Sequence, residues 1–241
     1  MSSSRQSRSG LRVARTAQRR KETPTAAPGP LLRGARSHLE DSRDAPPRRL
    51  LLEAAIRLFC RGGIGATSVD AVVAESGIAR MTLYNHFGSK EGLVLAALQH
   101  EGAAWRTWFF TRLAEIGGPA RARLIGVFDI LEEWFVRDDY FGCAFMNAVL
   151  EARNQDGAVA AITFAHKAQV LEQLRALAAA AGAAEPDALA QQIDLVMDGA
   201  IVKALIKRSA QPALEAKIVA AALLVRHLGA DARPPSAAGD A

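Results

Sequence analysis

Aromatic residues make up only 6% of this 241-residue chain, although half of it is hydrophobic. Alanine and leucine supply the apolar content, which favours close-packed helices over sheets. Only two cysteines are present, Cys60 and Cys143, each within an apolar helical pattern. That argues against a disulfide framework and for a reducing cytosol. No run of 18 uninterrupted apolar residues occurs, so no membrane span is expected. GxSxG, Walker-type and GxGxxG motifs are all missing. The five histidines, His38, His86, His100, His166 and His227, show no metal-ligand spacing, and the cysteines have no CxxC company. An enzyme, a cofactor and a metal centre are therefore not expected.

Net positive charge is missing from most of the chain. Residues 1–49 hold 12 Lys/Arg against 4 Asp/Glu, which leaves 18 against 21 in the rest of a chain of net charge +5. A slightly acidic body does not coat nucleic acid along its whole surface. Residues 1–45 are rich in Ser, Arg, Pro and Gly without apolar periodicity, and are expected to be disordered. They read either as a basic arm for DNA phosphates or the minor groove, or as a solvated tail. They have no apolar h-region, although 1–21 has transit-peptide-like composition.

Pro46-Pro47 marks a boundary, and a helix is expected from about 48 to 62, buried through Leu51, Leu52, Ala55, Ile56, Leu58 and Phe59. From Thr67 to Lys90 two short helices meet at a tight turn. Thr67 or Ser68 caps the first, with Asp70 in its opening turn. Gly77 supplies the positive φ of the turn. Ile78, Leu83, Tyr84 and Phe87 restart the periodicity, and Gly88 stops it. Ser89 caps a long helix that runs towards Leu113, in which Gly102 is a candidate bend. Two helices crossed in this way describe a helix-turn-helix, whose second helix is shaped for the DNA major groove. Ala79, Arg80, Thr82 and Asn85 lie on its polar face. Arg80 suits guanine O6/N7, Asn85 a base or a phosphate, and Thr82 a thymine methyl or a phosphate.

The segments ATS (66–68), SGI (76–78), TLYNHF (82–87) and SKEGL (89–93) closely resemble the DNA-binding motif of the TetR family of bacterial transcriptional regulators. The resemblance covers roughly 46–100. It implies backbone contacts from Thr67, Tyr84, His86 and Lys90, with Arg48 reaching a phosphate from the first helix and Ser68 beside it. The alternatives are a core ring for Tyr84 and a solvated surface position for His86. Three positions depart from the family pattern: Val73 for a small residue, Ala79 for a capping Ser, and Met81 for Gly or Ala. The missing cap costs about 1 kcal/mol, and Met81 obscures the sequence that is read.

Beyond Pro119, a first-turn residue, the pattern stays helical. Helices are expected to about 135, over 143–153, 158–181, 187–208 and 213–228, with a fraying tail after Gly229. The expected fold is all-α: residues 46–95 as a three-helix DNA-binding domain, 96–229 as a larger helical domain, and 230–241 as a flexible tail. The resemblance implies an effector-binding and dimerising role for the larger part, with helices 187–208 and 213–228 forming a four-helix bundle with a second subunit. Gly199, Ala200 and Ala204 are the small residues that would admit the partner.

Candidate effector contacts are Trp105, Phe109, Phe128, Trp134, Phe145, Asn147, Glu151 and His166. Asn147 and Glu151 are four apart on an otherwise apolar helix and share one face; Asp198 is a further polar residue on such a helix. They read as a pocket patch, a divalent-cation site or a structural hydrogen-bond network. The expected function is a bacterial cytoplasmic repressor, dimeric on a pseudo-palindromic double-stranded operator and released by a small-molecule effector. A ligand-independent architectural DNA-binding protein is the alternative, favoured by a C-terminal core without a cavity. A helical enzyme is the other.

Overall fold

The computed structural model describes residues 46–152 and 157–229, and every described element is a helix. The basic segment 1–45 and the tail from 230 lie outside the described residues. The helices are α1 (Pro47–Gly62), α2 (Val69–Ser76), α3 (Arg80–Phe87), α4 (Lys90–Glu115), α5 (Ala120–Phe135), α6 (Ala144–Glu151), α7 (Ala158–Ala180), α8 (Pro186–Lys207) and α9 (Gln211–Leu228).

Helices α1 to α3 enclose a small core in which Leu51, Leu52, Ala55, Ile56, Val72 and Leu83 are buried. Their ends follow from local chemistry. The Ser68 hydroxyl accepts the Ala71 amide at 3.1 Å, and Ser89 Oγ accepts the Gly92 amide at 3.0 Å. Gly77 turns the chain between α2 and α3 at φ 69°. Ala79 opens α3 with no side-chain cap, so the helix most exposed to solvent starts with orphan amides.

Helix α4 joins the two parts of the protein. Its 26 residues span about 39 Å. Leu93, Val94 and Ala97 pack on the helix-turn-helix side, while Trp105, Phe109 and Leu113 enter the larger core. The helix runs without interruption through Gly102. A Cβ there would stand 2.6 Å from Phe145 Cζ and 3.2 Å from His166 Nδ1. Gly102 is needed so that α6 and α7 can approach the α4 backbone.

Helices α5, α7, α8 and α9 make the main core around Leu124, Leu131, Leu174, Leu189, Ile193 and Leu224. Pro119 caps α5 rather than starting it, and Cys143 caps α6. Ala200 and Ala204 are buried within the protomer, so they do not admit a partner; Gly199 faces open space. The outward face carries a different stripe. Leu195, Gly199, Val202 and Ile206 recur at helical spacing on α8, and Leu214, Ile218 and Val225 on α9. No described helix is long and apolar enough to cross a membrane.

Candidate DNA-binding face and the cavity behind it

Helix α3 projects Arg80, Met81, Asn85 and His86 into solvent, together with Ala79 just before it. Thr82 and Tyr84 are half-buried, and Leu83 anchors the opposite side with no exposed area. Arg80 is held at 2.9 Å from Asp70 of α2 and lies 5.9 Å above the Tyr84 ring. Arg48 is exposed at the start of α1, over the Phe87 ring at 5.5 Å. Arg80 and Arg48 bring positive charge to this exposed surface. Met81 is 68% exposed at its centre, an apolar surface suited to a thymine methyl.

Thr67 departs from its expected part. It is buried, and its hydroxyl donates to the Gly63 carbonyl at 2.7 Å, tying together the loop between α1 and α2. Lys90 reaches the Gly65 carbonyl of the same loop at 3.5 Å, and its ammonium retains free donors. Glu151, at the end of α6, closes that loop from the other side. Its carboxylate accepts the Ile64 amide at 3.1 Å and the Gly65 amide at 2.8 Å. Gly63, at φ 88°, makes room for it, since a Cβ there would stand 3.1 Å from both carboxylate oxygens.

Asn147 and Glu151 thus face the DNA-binding domain rather than the main cavity. Asn147 donates to the Phe141 carbonyl at 3.0 Å, which pins the loop before α6. The two residues meet only a small gap beneath α1. Of the three readings for this pair, the geometry is that of a structural network that bridges two domains. No group of three or more His, Cys, Asp or Glu suited to a metal ion occurs among the described residues.

The main cavity lies between α4, α6, α7 and α8. It measures about 530 Å³ out to its mouth, but only about 30 Å³ of it is open to the centre of a water molecule. That is room for a few waters at most, so a larger guest must widen it. Trp105, Trp134, Phe145 and His166 line it, with Glu101, Lys167 and both cysteines. Phe109 and Phe128 do not; both are fully buried in the apolar core. Phe164 points outward and is 77% exposed.

The electrostatics of the cavity follow from burial. His166 stacks on Phe145 with 4.0 Å between centroids, and burial pushes its pKa down to about 3, helped by Arg106 and Lys167. Its Nδ1 lies 2.8 Å from Arg106 Nη1. A guanidinium only donates, so Nδ1 accepts and the ring proton sits on Nε2. Lys167 is clamped between Asp194 and Asp198, each at 2.7 Å. Burial pushes the Cys60 thiol up to about 12 and raises Cys143 as well, so neither is a ready thiolate. Glu101 is 6% exposed, and burial pushes its carboxyl up to about 7.

Residues 51–97 match the profile of the bacterial regulatory proteins of the tetR family. A TetR-type transcriptional regulator from Streptomyces avermitilis has a solved structure similar to this one. The two are 30% identical with a TM-score of 0.66, over 76% of this chain and 98% of that one. The chain belongs to the TetR family.

Two curated relatives match over shorter stretches, and the chain spans well under half of their own length. An uncharacterised HTH-type regulator of Bacillus subtilis is 38% identical over 50 residues, 21% of this chain and 17% of its own length. An HTH-type transcriptional repressor of Mycobacterium tuberculosis is 37% identical over 70 residues, 29% of this chain and 35% of its own. This TetR-family protein is thus a helix-turn-helix transcriptional regulator. The relatives named here are transcriptional regulators.

Sequence reasoning overlooked Glu101. The signal was available, because Glu101 falls on the apolar stripe of α4 formed by Ala97, Leu98, Trp105 and Phe109. A carboxylate on a buried stripe marks either a pair or a site. Arg106, which sets the His166 tautomer, carried no such signal.

Proposed function

We propose that the protein is a ligand-responsive repressor, which binds a pseudo-palindromic operator as a homodimer and leaves it when a small molecule fills the main cavity. The observation that carries this reading is the placement of α6. Its first turn lines the cavity through Ala144 and Phe145, and its last residue, Glu151, holds the loop that enters the helix-turn-helix. A guest that displaces α6 therefore pulls on the DNA-binding domain. The 26-residue rod of α4 would carry the displacement to the recognition helices. In a dimer those helices must stand about one DNA turn, ~34 Å, apart, so a small change of spacing abolishes the fit. The apolar stripes of α8 and α9 support dimerisation through that face. The repressor named for the M. tuberculosis relative supports the sign of regulation.

Selection from random duplexes tests the reading: the recovered site should be an inverted repeat bound by two protomers. On that site Arg80→Ala should lose about 1–3 kcal/mol of preference over random DNA. The Arg80–Asp70 pair lies in solvent, where screening leaves it weak, so a bidentate guanine contact outcompetes it. Unchanged preference in a competition assay would remove Arg80 from base readout.

Glu151→Ala tests the route from cavity to DNA. The loss of two charge-assisted bonds at an exposed position should cost about 1–3 kcal/mol. Hydrogen exchange at the Ile64 and Gly65 amides should accelerate while α8 and α9 keep their protection. Operator affinity should fall as the domain loses its hold. Unaltered exchange at those two amides would refute the role of Glu151.

A further inference from the structure

The cavity contains an acid without a partner. Glu101 is more than nine-tenths buried, lines the cavity, and makes no hydrogen bond or ion pair with any described residue. The cations near it are engaged elsewhere. Arg137, the nearest in effect, is held by Asp139 through two bonds of 2.9 and 3.0 Å. Lys167 is locked between two aspartates, and the neutral His166 brings no charge. A desolvated carboxylate without a counter-charge is costly. Trp105, Trp134 and Phe145 line the cavity beside it, and the face of an aromatic ring attracts a cation through its quadrupole.

We propose that the cavity receives a small aromatic ammonium ion, with Glu101 as its counter-ion and the tryptophans as its cage. The assignment rests on the ligand-responsive reading above and gives the effector its chemical class. An anion would meet the carboxylates of Glu101 and Asp198 in the cavity wall, and is disfavoured by repulsion. A neutral guest could donate a hydrogen bond but would bring no counter-charge. The raised pKa of Glu101 agrees with this, because an arriving cation restores the charged form that burial disfavours.

The test compares matched guests on the full chain: benzylamine against benzyl alcohol, and 2-phenylethylamine against 2-phenylethanol. Binding is read by quenching of tryptophan fluorescence, since Trp105 and Trp134 line the site. Each amine should bind the wild-type protein about tenfold more tightly than its alcohol, the margin of a charge-assisted over a neutral hydrogen bond. Glu101→Gln, which keeps shape and removes charge, should erase that preference. Alcohols that bind as well as amines to the wild type would overturn the assignment without any mutant. So would a preference that survives Glu101→Gln. Adding the selected operator separates this inference from the sensing function. Amines that bind through Glu101 without releasing DNA would uphold the counter-ion and sink ligand-responsive repression. Release by both alcohols and amines, with no preference between them, would do the reverse.

Discussion

Replacing Ile218 of α9 with glutamate is expected to convert the regulator to a monomer and to weaken operator binding by about 100-fold or more, the loss of linking two half-site contacts. Ile218 is 73% exposed in the protomer, so a carboxylate there stays in water and the fold stands. In a two-fold dimer built on the α8–α9 face, the same position is buried against its symmetry mate. Each substitution then enters the interface twice, and like charges meet without water. Ile206→Glu, on the neighbouring stripe of α8 and 75% exposed, should behave the same way. Light scattering measures the mass, a thermal melt the fold, and an operator titration the affinity. A dimer that survives both substitutions would move the interface to another face.

The second large effect is a pH-dependent gain in stability for Glu101→Gln. Burial holds the folded Glu101 carboxyl at about 7, against an ordinary value of 4.5. A raised carboxyl pKa favours folding below the unfolded value, and that favour disappears as pH rises through 7. Above pH 7 the wild type therefore carries a penalty of about 3 kcal/mol that glutamine lacks. The melting temperature of the variant should exceed that of wild type by roughly 5–10 °C at pH 8, and the gap should close towards pH 4.5. His166 acts in the opposite direction, since its folded pKa is depressed to about 3 and its stabilisation fades as pH falls below 6.5. It is common to both proteins and cancels in the difference. A gap independent of pH would show that Glu101 does not carry buried charge.

The two stretches that matter most were legible to different degrees. Thr67 to Lys90 was readable almost residue by residue, because caps, a positive-φ glycine and a short apolar period act within four residues of one another. Ser68, Gly77 and Ser89 do in the structure what their chemistry required. The larger domain was legible only as helices. Phe109 and Phe128 look like Trp105 and Trp134 in sequence, yet the first pair is core and the second lines the cavity. Ala200 and Ala204 resemble contact residues, but they are buried within the protomer.

By itself, then, the sequence determined the all-helical class and the helix-turn-helix, since each depends on interactions between near neighbours. Tertiary structure alone decided that Glu151 bonds to amides 86 and 87 residues away, and that Glu101 makes no ion pair with a described residue. It also decided which apolar stripes of α8 and α9 remain uncovered. Those outcomes depend on which distant surfaces meet and how much water they exclude, and no local pattern encodes either.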